Sequence, residues 1–240
     1  MKHLTSLSLC AAMACALLTS CTTDSVRPAN PERDLPTERS QNDQIMTKWD
    51  IDDKVPAHIS YSDVYTFATG DVVGSSQLVR KPNGISMTLQ TSEVTSGDAL
   101  TVWYVVFNES GECATTPCGE ADIFNPATRT DILYATGHVV GNGNQANFAG
   151  SLQSGDNSGS IMGFFNAWLG FNLPSLGLED PDGAEVHLVL RTHEEALPAF
   201  MPDMIQTFNG GCIYPGGVPT DYGAPGPNTC SDIQFAIHLP

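Results

Sequence analysis

The chain has 240 residues and carries 10 Lys and Arg against 27 Asp and Glu, a formal charge of −17 at pH 7. This balance argues against a nucleic-acid partner, because phosphate contacts need a basic face, and a bare anionic membrane surface would repel the chain. The acidity is typical of a soluble, monomeric exported protein, and binding of divalent cations is the alternative reading.

The first predicted element is a secretion signal. A basic start precedes an apolar run over residues 4–17, which is too short for a membrane-spanning helix. The Leu-Thr-Ser-Cys sequence that ends at Cys21 resembles the lipobox of bacterial lipoproteins. The resemblance implies that residues 1–20 are removed and that Cys21 is acylated on its sulfur and becomes the N-terminus. The protein would then be attached to a membrane of the cell envelope by lipid.

Residues 21–48 are predicted to be a disordered, lipid-anchored tether. They contain few apolar side chains and include Pro28, Pro31 and Pro36, a composition that cannot bury a core and favours an extended chain. Thr22 stands where an Asp commonly signals retention in the inner membrane, so the lipoprotein resemblance implies the outer membrane. Whether the domain faces the periplasm or the cell surface stays open.

Residues 49–240 are predicted to form one all-β domain, an antiparallel two-sheet sandwich with one or two short helices. The 22 Gly and 16 Pro lie mostly between apolar runs, which is typical of short strands joined by tight turns. Strand 100–107 is apolar on both faces and is expected to be central, while strand 146–152 is expected to form a hairpin with strand 132–140. The predicted strands cover residues 61–68, 72–80, 85–91, 100–107, 132–140, 146–152, 184–192 and 233–239.

Two segments between the strands favour helices. The apolar residues 161–169 predict a short helix that is either a buried plug under the sandwich or a partly exposed contact surface. Residues 197–208 place four apolar side chains at helical spacing behind Pro198, which suits a first helical turn.

Four cysteines remain once the two in the leader and Cys21 are set aside. An even number in an oxidising compartment predicts disulfides, and three connectivities are possible. Pairing Cys113 with Cys118 and Cys212 with Cys230 is favoured, because each pair closes a loop rich in Gly, Pro, Thr and Asn. Zinc is the alternative, but the C-x4-C and C-x17-C spacings hold no His within either loop.

Three stretches place histidines late in predicted strands: Tyr134-Ala-Thr-Gly-His, Glu185-Val-His-Leu-Val-Leu-Arg-Thr-His and Phe235-Ala-Ile-His. Their order resembles the chordin-type (CHRD) domain and related bacterial secreted β-sandwich proteins over residues 84–239. Glu194-Glu195 replaces the Gly-Pro that usually follows the histidine phrase in that family. The resemblance implies a β-sandwich and carries over no catalytic residue.

The candidate metal ligands are four strand histidines and two acids of one loop: His138, His187, His193, His238, Asp180 and Asp182. Copper and zinc centres on β-sandwiches use several strand histidines. Six residues of strand separate His187 from His193, about 20 Å, so an unbroken strand cannot bring both to one ion. The Asp-x-Asp-Gly core of the acidic loop resembles a calcium loop but lacks the later acidic ligands, and a plain acidic turn is the alternative.

The sequence contains no Gly-x-Ser-x-Gly, His-Glu-x-x-His or phosphate-binding glycine motif. The favoured interpretation is a non-enzymatic, lipid-anchored binding or adhesion module of the cell envelope, without a cofactor and with an unknown ligand. A metal-dependent enzyme or metal carrier that uses copper, zinc or calcium is the alternative.

Overall fold

The computed structural model describes residues 57–213 and 222–240. The predicted leader, the lipidation site Cys21 and the tether lie outside the described residues and stay predictions. Among the residues described, we find no helix with the length and apolarity needed to cross a membrane.

Within the described residues, eight antiparallel strands form one sheet in the order β5-β4-β7-β8-β1-β2-β3-β6. The strands are β1 (His58–Thr66), β2 (Val72–Lys81), β3 (Gly84–Ser92), β4 (Asp98–Phe107), β5 (Thr130–Val139), β6 (Gln145–Gln153), β7 (Glu185–Glu195) and β8 (Ser231–His238). The sheet is nearly barrel-shaped, so it has an inner and an outer face. The all-β prediction is confirmed. The two separate sheets of a sandwich are not confirmed, because all eight strands are hydrogen-bonded in one series.

The predicted hairpin between β5 and β6 is wrong, because β5 pairs with β4 and β6 pairs with β3. Val140 just after β5 is still hydrogen-bonded to Gly97 and Asp98 at the start of β4. The connection after Val140 therefore begins beside β4 and leads to β6, which lies beside β3 at the other edge of the sheet. The two edge strands meet through side chains instead: the rings of His138 and Phe148 stack with centroids 4.4 Å apart.

Alternation along the strands builds the core on the inner face. On β4, Leu100, Val102 and Tyr104 point inward, while Trp103 and Phe107 belong to a second apolar cluster on the outer face. All of these side chains are buried, and burial of each aliphatic or aromatic side chain is worth about 1.5–3 kcal/mol. The prediction of a central strand that is apolar on both faces is confirmed.

The helix α1 (Met162–Leu169) covers the outer apolar cluster. Met162 and Phe164 in its first turn are buried, whereas Trp168 near its end is 49 % exposed. The helix ends at Gly170, whose φ of +76° gives the left-handed conformation that glycine adopts without strain. The prediction of a helix is confirmed, and its position is intermediate between the two alternatives, with one end buried and the other exposed.

The predicted helix over residues 197–208 is wrong. The chain forms two separate 3₁₀ turns there, Pro198–Phe200 and Asp203–Ile205. Pro202 interrupts the periodic pattern, since a proline has no N–H to donate and drives the preceding residue out of the helical conformation. Met201 is accordingly extended, with φ −83° and ψ 140°.

Candidate functional site

Both favoured cysteine pairs have disulfide geometry. The Cα atoms of Cys113 and Cys118 are 5.3 Å apart, and those of Cys212 and Cys230 are 5.5 Å apart. Each disulfide lies in a loop that packs on the outer face of the sheet. The loops are therefore part of the outer cover of the sheet, which brings them close to two of the candidate histidines.

His187 lies on the outer face beside the first of these loops. Its Nε2 atom is 2.7 Å from Oε1 of Glu185, and the same oxygen accepts a hydrogen bond of 2.7 Å from the backbone N–H of Cys118. The ring centroid of His187 lies 5.0 Å from that of Phe107. Glu185 lies on the outer face but is only 2 % exposed, because the loop covers it. His187 and Glu185 thus attach a loop to the sheet.

His238 points to the inner face at one end of the sheet and is almost fully buried. Nδ1 lies 2.9 Å from the Ser60 hydroxyl and Nε2 lies 3.0 Å from the Ser76 hydroxyl. Burial, together with the nearby Arg80 charge, lowers the pKa of His238 to about 4. The ring is therefore neutral at pH 7 and serves as a buried hydrogen-bonding group.

His138 lies on β5 at the meeting of the two edge strands and stacks on Phe148. Partial burial lowers the pKa of His138 below its usual range. His138 therefore has a structural role, like His187 and His238. It also lies on a different strand from the other three candidate histidines.

Asp180 and Asp182 are exposed and belong to a turn that covers a buried cation. Nη1 of Arg80 donates hydrogen bonds to the carbonyl oxygens of Pro181, at 2.6 Å, and Ala184, at 2.9 Å. Asp180 shapes the turn by accepting the backbone N–H of Asp182 on its Oδ1, at 3.1 Å. The acidic loop thus uses its carbonyl oxygens to bind a guanidinium, a role that the sequence analysis did not assign to it.

His193 is the most enclosed of the candidate histidines and is fully buried on the outer face. Its Nδ1 donates to the carbonyl oxygen of Gly210, at 2.8 Å, since a carbonyl can only accept. Its Nε2 therefore accepts from the Thr101 hydroxyl, at 3.0 Å, which in turn accepts from Nε1 of Trp103. Burial lowers the pKa of His193 to about 4, so the ring is neutral.

One group of three potential metal ligands is assembled within the described ranges: His193, Cys212 and Cys230, whose donor atoms lie within 4.8 Å of one another. The other candidate ligands lie outside this group. The sequence analysis assigned the two cysteines to a disulfide and His193 to a strand, and missed their contact. The spacing of 18 residues between His193 and Cys212 matches no known ligand pattern, so the sequence carried no signal for it.

A second feature that the sequence analysis missed is an exposed surface formed by the outer side chains of β1, β2 and β3. Two rows of side chains cross these strands, and we call them together the polar face: Tyr61, Gln77 and Thr88 in one row, and Asp63, Ser75 and Gln90 in the other. Tyr61 is 76 % exposed. The side chains of Ser75, Gln77, Thr88 and Gln90 form no hydrogen bond within the part of the chain that the structure describes.

The polar face is concave in two places. One depression, of about 390 Å³, is lined by all six residues of the polar face. The other, of about 430 Å³, extends toward β6 and is lined by Ala149 and Ser151 among others. Gln77 and Thr88 line both depressions, so the two adjoin. A sequence signal for this surface existed in the alternation of Ser, Thr and Gln along β3, but alternation alone does not show which strands lie side by side.

A smaller aromatic patch lies elsewhere on the surface, at the end of α1. Trp168 is 49 % and Phe171 is 41 % exposed, and the ring of Phe171 stacks on that of Phe124 with centroids 5.1 Å apart. The exposed Trp168 lies in the segment 161–169, for which a contact surface was one of the two predictions, and that role stays a prediction.

Comparison of the chain with protein-family models, with curated proteins and with solved structures finds no match. The lipobox and chordin-type resemblances therefore stay predictions. The two structural features that bear on function are the polar face and the group around His193.

Proposed function

We propose that the protein is a non-enzymatic binding module of the cell envelope and that the polar face binds a neutral glycan. The observation that carries the proposal is the set of exposed and half-exposed amide and hydroxyl side chains that have no hydrogen-bond partner among the described residues and that line one depression with Tyr61. A sugar has hydroxyl groups that pair with such side chains and a C–H face that packs on an aromatic ring. Concave surfaces with a few convergent polar groups are the usual form of a ligand site.

Charge supports a neutral ligand over an anionic one. Asp63 is the only charged residue among those that line the two depressions, and neither lining includes a Lys, Arg or His. A formal charge of −17 on the whole chain adds a long-range repulsion for anions. A neutral polyhydroxylated ligand avoids both costs.

The same lining supports binding over hydrolysis. Most glycoside hydrolases need two carboxyl groups, one on each side of the scissile bond. The polar face offers one, that of Asp63. A ligand seated there would be held and released unchanged.

The proposal includes attachment of this module to the outer membrane through lipid on Cys21, with residues 21–48 as the tether and a monomeric chain. A chordin-type sandwich remains the proposed relationship of the fold. An anchored module with an exposed sugar-binding surface suits adhesion to envelope or extracellular glycans.

The test is binding of the full chain to a panel of neutral oligosaccharides, measured by calorimetry. We expect saturable binding to at least one of them, and at least a tenfold loss in Tyr61→Ala and in Gln77→Ala, since stacking and a bidentate amide each contribute about 1 kcal/mol or more. Trp168→Ala is the matched control, because it removes an exposed ring from the aromatic patch and should bind like the wild type.

Failure of every neutral oligosaccharide to bind would remove the proposal. Loss of binding in Trp168→Ala with full binding in Tyr61→Ala would place the binding surface at the aromatic patch instead.

A further inference from the structure

We propose that His193, Cys212 and Cys230 form a zinc site when the disulfide between the two cysteines is reduced. The inference is independent of glycan binding, because the site lies in the second disulfide loop and shares no residue with the polar face. Of the four strand histidines in the metal hypothesis it keeps His193 alone, and it adds two cysteines as ligands.

The distances fit tetrahedral zinc. Zn²⁺ binds sulfur at about 2.3 Å and nitrogen at about 2.0–2.1 Å, so a sulfur and a nitrogen on one tetrahedral ion are about 3.6 Å apart. Nδ1 of His193 lies 3.5 Å from Sγ of Cys212 and 3.7 Å from Sγ of Cys230. The imidazole is thus already placed at ligand distance from both sulfurs. The two sulfurs have to separate, and the Gly210 carbonyl oxygen, which lies 2.8 Å from Nδ1 and accepts its proton in the disulfide state, has to move aside for the ion.

Reduction of the disulfide between Cys212 and Cys230 requires a dithiol reductant. The reductant is oxidised to its own disulfide as the bond between Cys212 and Cys230 is converted into two thiols. Zn²⁺ then replaces the two thiol protons, which leave to solvent. Three protein ligands leave the fourth position to water, and Cys230 is partly exposed, which gives water, reductant and metal a route to the site.

The surroundings of His193 support the ligand role. A ligating histidine donates its other ring N–H to an acceptor that fixes its orientation. When Nδ1 binds the ion, the ring proton moves to Nε2, which faces the Thr101 hydroxyl at 3.0 Å. Trp103 donates to that same oxygen and holds it in place. Thr101 is therefore a positioning residue for the metal site.

The disulfide and the metal exclude each other, because sulfurs bonded to one another are not thiolate ligands. Oxidation closes the loop with a covalent bond, and reduction replaces that bond by a metal ion that joins the same residues. Because β7 supplies His193 and the loop supplies both cysteines, the metal-bound state adds a link from the loop to the sheet, whereas the disulfide joins two cysteines of the loop to each other.

The experiment measures zinc affinity of the full chain by competition with a chromophoric chelator, before and after reduction with a dithiol that is then removed under anaerobic conditions. We expect one Zn²⁺ to bind at this site only after reduction. His193→Asn should weaken this binding by more than about 100-fold, since loss of a ligand exceeds the 10–100-fold cost of losing an outer partner. Thr101→Val, which keeps all three ligands, should weaken it about tenfold.

His238→Asn is the matched control, because His238 is equally buried and also uses both ring nitrogens, yet lies outside the site. It should keep wild-type affinity. The Cys113→Ser/Cys118→Ser variant should also bind one Zn²⁺ tightly after reduction. This result would show that Cys212 and Cys230, and not Cys113 and Cys118, are the zinc ligands. The leader cysteines and Cys21 are the same in every variant. Two results would overturn the proposal. One is equal zinc affinity of the His193→Asn and His238→Asn variants, and the other is the absence of tight zinc binding by the reduced chain, whether or not that chain stays folded.

Discussion

Arg80 is a charged side chain held in the protein interior by backbone oxygens. Its guanidinium donates to four carbonyl groups, and its Nε has no hydrogen-bond partner among the described residues. Burial lowers the pKa of Arg80, although the carboxylates of Asp180 and Asp182 partly offset this effect. The side chain links the turn before β7 to the end of β8, so its contribution is to join two segments that are far apart in sequence.

We predict that Arg80→Met lowers the free energy of unfolding by about 3 kcal/mol, because four carbonyl groups then lose their donor inside the protein. Urea unfolding followed by circular dichroism measures the change. Lys81→Met is the control at the next position, where the side chain is exposed, and it should change stability by less than about 0.5 kcal/mol. Equal stability of both variants would mean that water replaces the guanidinium.

At the scale of elements, the contact between β5 and the turn Asp203–Ile205 requires a glycine. The hydroxyl of Tyr134 donates to the carbonyl oxygen of Ile205, at 2.7 Å. A Cβ atom on Gly137 would collide with that same oxygen and would lie 2.7 Å from the carbonyl oxygen of Leu100. Both obstacles are backbone atoms, which no change of rotamer can move.

Gly137→Ala is therefore expected to destabilise the protein by about 2 kcal/mol, as overpacking of a close contact does, with a matching fall in Tm. Differential scanning calorimetry provides the measurement. Gly141→Ala is the control, since a Cβ there meets no atom within 4 Å. If the two alanine variants melted at the same temperature, the turn would not be fixed on β5.

These elements also show how far the sequence could predict the structure. The eight strands were predictable because alternation of apolar and polar residues reports burial of one face directly. The pairing of β6 with β3 was not, because alternation is the same whichever neighbour a strand has. The broken helix before Phe208 could have been recognised from Pro202, whose effect on Met201 is local. The site around His193 could not, since it depends on how a long loop returns to the sheet.

At the scale of the whole molecule, the proposed attachment to a membrane has to be compatible with the acidity of the chain. A chain with a formal charge of −17 is repelled by anionic lipid headgroups, so electrostatic adsorption cannot keep it at a membrane. Acyl chains can, because each buried CH₂ contributes about 0.8 kcal/mol and two or more chains give stable anchoring. Under the proposed lipid attachment, the same repulsion would oppose contact between the acidic chain and anionic headgroups.

We therefore predict that the protein from its native host partitions into the detergent phase and that mass spectrometry finds a mature N-terminus at Cys21 with acyl chains attached. Cys21→Ser should move the protein to the aqueous phase or leave it with the leader uncleaved, because the serine hydroxyl does not accept the lipid. Cys15→Ser changes a cysteine within the leader and should leave both processing and partition unaltered. An unmodified thiol at Cys21 in the native protein, with residues 1–20 still present, would contradict the anchor and with it the cell-envelope location, whereas the glycan and zinc experiments would stand unchanged.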